Sequence, residues 1–392
     1  MTNLFSEQVV KILERKLNFP KKLIPLHEPS FSNKEYKYLK ECIDSTFVSS
    51  VGKFVDLFES KMVKFTGAKY SIAVVNGTAA IHAGLKIIGV KNGSEVLTPS
   101  LTFAGATNAI TYCQAIPHFI DSEQVTLGVD PKKLRKYLEK ITIFRNKKCI
   151  NKTTGKSIDA MIITHLYGHP CNMQELLRVS KDFNVPILED AAEAIGSYYK
   201  KKHVGTFGQV GVVSFNGNKP ITTGGGGIIL TNSQKIANEA RHLTTTAKIP
   251  HLWEHRYKEI GYNYRMPNIN AALGLAQLEN LPKILKNKRD IFREYDKEFK
   301  KIDGVYLKKE PKNCKSNYWL NTLILNKHKK KQRLDILRKS NQRNIMTRAC
   351  WTPMHRLPHF KKFPKMNLDI ADQIYETAIN IPSSSNLLKI FK

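Results

Sequence analysis

The chain is predicted to fold as an α/β protein: a large domain with a mostly parallel sheet, then a smaller α+β domain. Three observations predict this. From about residue 70 to 230, short apolar strands alternate with helical patterns. Strands connected through helices run parallel and are covered on both faces. Past residue 265 the pattern becomes long and helical, from Asn268 through Lys300, and short strands and one more helix follow it. The expected division is an N-terminal helical segment over 1–45, a large domain over 46–275 and a small domain over 276–392.

The elements follow in order. Val9, Val10, Ile12 and Leu13 are spaced for an amphipathic surface helix, and the charges among them exclude a signal-peptide core. Ser71 to Val75 reads as a strand, and Gly77 to Ile88 as a helix with Ala, Ile and Leu on one face. Glu95 to Thr98 is a strand, Ala104 to Tyr112 a helix, and Ile116 to Ile120, Ala160 to His165 and Val185 to Glu189 are further strands. The Lys- and Asn-rich segment 145–157 reads as turns or an exposed loop. Val210 to Phe215 and Ile228 to Leu230 are apolar segments flanking Lys219 and the glycine run Gly224 to Gly227. In the small domain, Gly304 to Leu307 and Trp319 to Leu325 read as strands and Gln332 to Ser340 as a helix.

A length of 392 residues supports two or three domains with a real core. Hydrophobic residues at 41% and charged ones at 24% describe an ordinary globular protein. No apolar run approaches the roughly 20 residues of a membrane span, so a cytoplasmic location and no membrane partner are expected. Six cysteines are scattered without a C-x-x-C pair, which argues against a disulfide framework and a metal site. The net charge of +30 raises nucleic acid as a partner. Yet the basic residues are spread along the chain, and the cluster Lys327 to Lys331 with Arg333 and Arg338 reads as a solvated face. No nucleic-acid-binding signature is present, so no specific nucleic acid is expected. A positive field equally favours an anionic small substrate such as a nucleotide diphosphate.

Ligands of such sheets bind beyond the carboxyl ends of the strands. The first strand runs into Asn76-Gly77-Thr78-Ala79-Ala80 at a helix start, where free N–H groups suit a phosphate. A plain Thr-capped helix start fits the same residues. The strand Val185 to Glu189 ends in Asp190-Ala191-Ala192-Glu193. A carboxylate there can keep a pyridine nitrogen protonated, or simply cap a helix, and Glu193 can reach a ring hydroxyl. Phe103 follows another strand and can stack on a flat ring or pack in the core. Ser214 offers a second phosphate hydroxyl. Lys219, set among small residues, can form a Schiff base with an aldehyde cofactor such as pyridoxal phosphate, or stand as a surface lysine in a hairpin. Together these residues supply a phosphate cup, a ring-nitrogen carboxylate, a stacking aromatic and an amine along one domain.

The sequence resembles the pyridoxal-phosphate sugar aminotransferases of the DegT/DnrJ type. Besides the stretches above, the resemblance runs through His165-Leu166-Tyr167-Gly168, Ser214 to Gly227, Gly261-Tyr262-Asn263-Tyr264-Arg265-Met266, Ala271 to Leu278 and Tyr318-Trp319. It implies the type I, aspartate-aminotransferase-like fold and aminotransferase activity, with Lys219 holding the cofactor and shuttling protons. Asp190 is then at the pyridine nitrogen, and Gly77, Thr78, Ala79 and Ser214 at the phosphate. Asn263 would reach the cofactor of a neighbouring subunit, giving a homodimer with shared sites. Glu193 stands where many members carry Gln, and would share a proton with the ring oxygen. Dehydratase members carry histidine in place of the lysine, and Lys219 argues against that branch. Leu26 to Phe31, Ile43 to Gly52 and the Ser214 run resemble the subgroup near legionaminic-acid biosynthesis. That subgroup aminates C4 of a nucleotide-linked 2-acetamido-2,6-dideoxy-4-keto hexose with glutamate as donor. No residue separates UDP from GDP. A perosamine-type or 3-keto-sugar transamination is the alternative, and a non-catalytic, basic-surface binding protein is the rival from another class. Phe47, His165, Tyr318 and His355 are candidates on the substrate side.

Overall fold

A computed structural model of the protein describes residues 4–391. Its centre is a seven-stranded sheet formed by β1 (Tyr70–Val74), β2 (Glu95–Pro99), β3 (Ile116–Ile120), β6 (Ile158–Thr164), β7 (Ile187–Asp190), β10 (Val210–Ser214) and β11 (Gly227–Thr231). Between them lie a hairpin of β4 (Thr142–Arg145) and β5 (Lys148–Asn151), and the two-residue strands β8 (Tyr198–Tyr199) and β9 (Lys202–His203). The spatial order is β1-β11-β10-β7-β6-β2-β3. Neighbours from β10 to β3 pair in parallel, whereas β11 runs antiparallel between β10 and β1.

Both faces of the sheet are buried, as expected for strands that read as unbroken apolar runs. On one face Ile72, Val96 and Ile162 pack with Ile81, Leu85 and Ile110 of α4 (Gly77–Ile87) and α5 (Ala104–Tyr112). On the other, Leu97, Met161 and Phe215 pack with Phe58 and Met62 of α3 (Lys53–Thr66), and with the first half of α9 (Asn268–Phe299). α6 (Pro131–Ile141) and α7 (Met173–Phe183) complete that layer through Leu134, Leu138 and Leu176. Asp130 starts α6 by accepting the N–H groups of Lys132 and Lys133, with Pro131 in the first turn.

The 32-residue α9 continues into a second core. There Ile291, Tyr295 and Phe299 meet a four-stranded sheet built from residues 305–307, 321–325, 348–349 and 378–381. The amphipathic helix expected at the amino terminus is α1 (Leu4–Lys16). Phe5, Val9, Val10 and Leu13 fill this second core, so α1 is built into it. A strap then crosses back: Leu26 accepts the Ser383 N–H, Glu28 donates its N–H to Ser384, and the Ser30 carbonyl accepts from Gln277 of α9.

One expectation is corrected here. Part of the segment 145–157 is the β4–β5 hairpin, turned by Asn146 and Lys147, which both adopt left-handed φ (49° and 62°). Such a two-residue turn matches the twist of paired strands. Among the described residues, no helix is long and apolar enough to cross a membrane.

Candidate active site

Parallel strands end together, so their carboxyl ends collect the polar residues. Asp190 closes β7 at only 5% exposure. Its carboxylate accepts the Ala192 N–H at 3.1 Å and lies 3.5 Å from the Thr164 hydroxyl of β6. Burial raises its pKa, while that N–H and the charge of Lys219 oppose the rise. Lys219 lies in the turn after β10, its backbone N–H held by the Asn216 carbonyl. At 8% exposure, its Nζ is 3.5 Å from Glu193 Oε1 and 4.0 Å from the centre of the Trp319 ring. Glu193 also accepts the Tyr167 N–H at 2.8 Å. Burial pushes its carboxyl up to about 7 against the pull of Lys219 and the Tyr167 N–H.

The second group of residues is a cup at the start of α4. The cap here is Asn76, whose side chain accepts the Ala79 N–H at 2.7 Å, rather than Thr78. Gly77 faces Ser214: a Cβ on Gly77 would lie 3.0 Å from Ser214 Cβ and 3.2 Å from its hydroxyl. Glycine is what lets the first turn of α4 meet the end of β10. A Cβ on Gly105 would lie 2.8 Å from the Thr78 hydroxyl and 3.1 Å from the Phe103 ring, so these two side chains flank the same point. Phe103 itself is 55% exposed, with its ring 5.9 Å from Trp351. Gly77, Thr78, Ala79, Ser214 and Phe103 thus converge along one edge.

Other candidates lie elsewhere. Asn263 is exposed and bridges to Thr245. Phe47 is exposed, and its carbonyl accepts from the Asn268 amide at 2.6 Å. His165 is fully buried with both nitrogens engaged: Nε2 is 3.1 Å from Glu189, and Nδ1 accepts the Cys171 N–H. That leaves no nitrogen for a substrate. Tyr318 is also buried: its ring stacks on Phe292 at 4.1 Å, and its hydroxyl accepts the Glu310 N–H. The next residue, Trp319, is the one that covers Lys219. His355 sits beside the carboxyl end of β2, 2.6 Å from the Ser100 hydroxyl and 3.4 Å from Asp372.

Trp319 is the main residue that sequence reasoning missed, although only three tryptophans were available to choose from. Its indole N–H donates to the Asn218 carbonyl at 2.7 Å, next to Lys219. Tyr167 and Trp351 extend the wall, with ring centres 5.3 Å apart. Behind it, Lys288 of α9 is wholly buried and donates to the carbonyls of Trp319 and Ser383. Burial pushes its pKa down to about 7. Burial, Lys288 and Lys219 together hold His27 of the strap well below the usual imidazole range, hence neutral.

The residues fit a phosphorylated aldehyde cofactor with a basic ring nitrogen: a glycine-lined helix start, a buried strand-end carboxyl, a stacking ring and a lysine without a tight ion pair. Among the described residues, no group of His, Cys, Asp or Glu is placed to hold a metal ion. Fold and site define a pyridoxal-phosphate-dependent aminotransferase of the type I fold. The chain belongs to the DegT/DnrJ/EryC1/StrS aminotransferase family, whose family model matches residues 29–389. It is 37% identical over 367 residues to the GDP-perosamine synthase of Escherichia coli O157:H7, covering 93% of this chain and 94% of that protein. It is 30% identical over 333 residues to the UDP-4-amino-4,6-dideoxy-N-acetyl-beta-L-altrosamine transaminase of Campylobacter jejuni, covering 84% and 85%. Helicobacter pylori PseC, an aminotransferase involved in pseudoaminic acid biosynthesis, shares the fold with a TM-score of 0.84, 22% identity and coverage of 94% and 97%.

Proposed function

We propose that the protein transfers the amino group of glutamate to the C4 keto group of a nucleotide-linked 6-deoxy hexose. The observation that carries this reading is Lys219, whose amine lies between Glu193 and the face of Trp319, close enough to Asp190 for their charges to interact. The cofactor, when bound, supplies an electron sink for the carbon that exchanges its amine. Asp190 would keep its ring nitrogen protonated, and Phe103 would pack on the ring. Thr78, Ser214 and the N–H groups at the start of α4, with Gly77 and Ala79, take the phosphate. Lys219 would hold the cofactor's aldehyde carbon, and its amine is placed to move the proton at the substrate carbon. Positioned proton transfer of this kind contributes on the order of 10²–10⁴ in rate. Glu193 shares its proton with the ring oxygen, and Asn263 completes the phosphate site of a second copy in a homodimer.

Two relatives support the substrate class. One is named for a GDP-linked sugar, the other for a UDP-linked 4-amino-4,6-dideoxy sugar. The +30 charge favours such dianionic carriers. The first substrates to assay are UDP- and GDP-2-acetamido-2,6-dideoxy-hexos-4-ulose, the legionaminic-type reading. GDP-4-keto-6-deoxy hexose tests the perosamine-type reading, and a 3-keto sugar is the control. Borohydride should fix the cofactor to Lys219 of the wild-type protein and to no residue of Lys219→Ala. Amination by Lys219→Ala would end the assignment. Mixed dimers of Lys219→Ala and Asn263→Ala, each inactive alone, should recover activity if the sites are shared.

A further inference from the structure

The excess positive charge is unevenly neutralised. On α9 and just past its end, Lys286, Arg293, Lys297, Lys300 and Lys301 each meet a carboxylate three or four residues away. The basic cluster near residue 330 is largely partnered too: Lys330 pairs with Glu376, Lys329 lies over the Phe5 ring, and Arg333 over Tyr375. The unit from α6 through the β4–β5 hairpin is different. Residues 132–156 contain ten Lys or Arg and one acid, Glu139, against 63 and 33 in the whole chain. Lys133 and Arg135 pair with Asp121 and Asp182. The other eight are exposed and, among the described residues, have no carboxylate partner.

These charges form one face. Lys136 and Lys140 lie one turn apart on α6. Lys152, just past the hairpin, donates to the Lys140 carbonyl at 3.0 Å and draws the hairpin onto the helix end. Arg145, Lys147 and Lys148 flank the left-handed turn, where the Lys147 carbonyl accepts from the Asn184 amide at 2.8 Å. Phe144 pairs with the buried Cys149, on the other side of the pleat from Arg145 and Lys148, and is 53% exposed with its ring centre 6.5 Å from that of Phe183. The chain enters α6 from the carboxyl end of β3 and leaves the hairpin into the amino end of β6. The hairpin therefore lies at the end of the sheet opposite Lys219.

We propose that this basic α6–hairpin face docks on the surface of an anionic phospholipid bilayer, with the Lys219 side turned toward water. A cluster of exposed Lys and Arg without carboxylate partners suits the negative surface potential of an anionic leaflet. Single-stranded nucleic acid is held by successive aromatic faces, and Phe144 is the one exposed ring in residues 132–156. Each Lys or Arg near an anionic bilayer strengthens binding roughly fivefold. The inference is independent of the substrate.

The test is co-sedimentation of the full chain with phosphatidylcholine vesicles containing about 30% phosphatidylglycerol. Binding is expected at about 0.1 M NaCl and should vanish near about 0.5 M, as screening shortens. It should be absent with phosphatidylcholine alone. The combined variant Arg145→Gln, Lys147→Gln, Lys148→Gln, Lys152→Gln should bind on the order of 500-fold more weakly, with unchanged turnover and melting temperature. Should that variant melt early, Lys147→Glu with Lys148→Glu at the exposed turn repeats the test. Neutralising Lys327, Lys329, Lys330 and Lys331 instead should change binding less than about fivefold. The proposal is overturned by no binding, by equal binding to neutral vesicles, or by hairpin variants that bind like wild type. Hairpin-dependent retention on duplex DNA at lower phosphate concentration than on vesicles would also overturn it, pointing to a nucleic-acid partner.

Discussion

Replacing Glu193 with Gln removes a carboxyl that is 2% exposed and that burial pushes from an ordinary 4.5 up to about 7. Lys219, at 3.5 Å, and the Tyr167 N–H favour the charged form, but desolvation outweighs them. At about 1.4 kcal/mol per pH unit, that rise corresponds to about 3 kcal/mol between the two protonation states. The sign follows from linkage. The folded chain binds this proton more tightly than the unfolded chain, so the contribution to stability is complete below pH 4.5 and is lost as pH climbs through 7. Gln keeps the neutral shape and has no proton to lose. Cofactor-free wild type should therefore lose about 3 kcal/mol relative to Glu193→Gln between about pH 4 and pH 8. Urea denaturation of both proteins at four or so pH values in that window reads the difference directly. Groups common to both proteins cancel, and Lys219→Ala in each background isolates the pair. Parallel pH profiles would refute the burial-raised carboxyl. A difference that grows in the opposite direction would show that the Lys219 pairing, not desolvation, controls the carboxyl.

Three further outcomes test other parts of the fold and site. Trp319→Phe gives up the indole bond to the Asn218 carbonyl and should cost about 1 kcal/mol, whereas Trp319→Ala should cost roughly 3–5 kcal/mol by denaturant titration. Gly105→Ala places a methyl 2.8 Å from the Thr78 hydroxyl and 3.1 Å from Phe103. Pyridoxal phosphate retention, followed by absorbance, should weaken about tenfold with little change in melting temperature. Leu13→Ala empties a fully buried position of α1 and should cost roughly 2–5 kcal/mol.

The parts of the fold legible in the sequence are those set by local pattern. β7 and β10 are apolar runs that stop at Asp190 and Ser214, so strand ends and their polar residues could be read together. The Gly77 to Ala79 turn was legible for the same reason, though not its cap. Asn76 and Thr78 are both capping residues, and the extended backbone of Asn76 decides between them. Contacts set by pairing were not legible. His165 follows directly on β6, but β6 pairs with β7 so that Ile163 lies beside Glu189, and that carboxylate engages the imidazole. The choice between Tyr318 and Trp319 turns on one left-handed residue, Tyr318, with φ of 50°. Its neighbour Asn317 is fixed by the carbonyls of Glu193 and Ile195, more than 120 residues away in sequence.

The position of α1 has a consequence for how the chain is made. Its apolar face closes a core completed by Phe299, Leu325 and Ile381. A ribosome adding about 5–20 residues per second needs tens of seconds to travel from α1 to the last of these. Until the end of that interval Val9, Val10 and Leu13 face an unfinished core, while the large sheet can already form. A permuted chain that begins at the strap and carries α1 after residue 391 would present the helix to a finished core. Such a chain should refold with less aggregation than the natural order, at equal final stability.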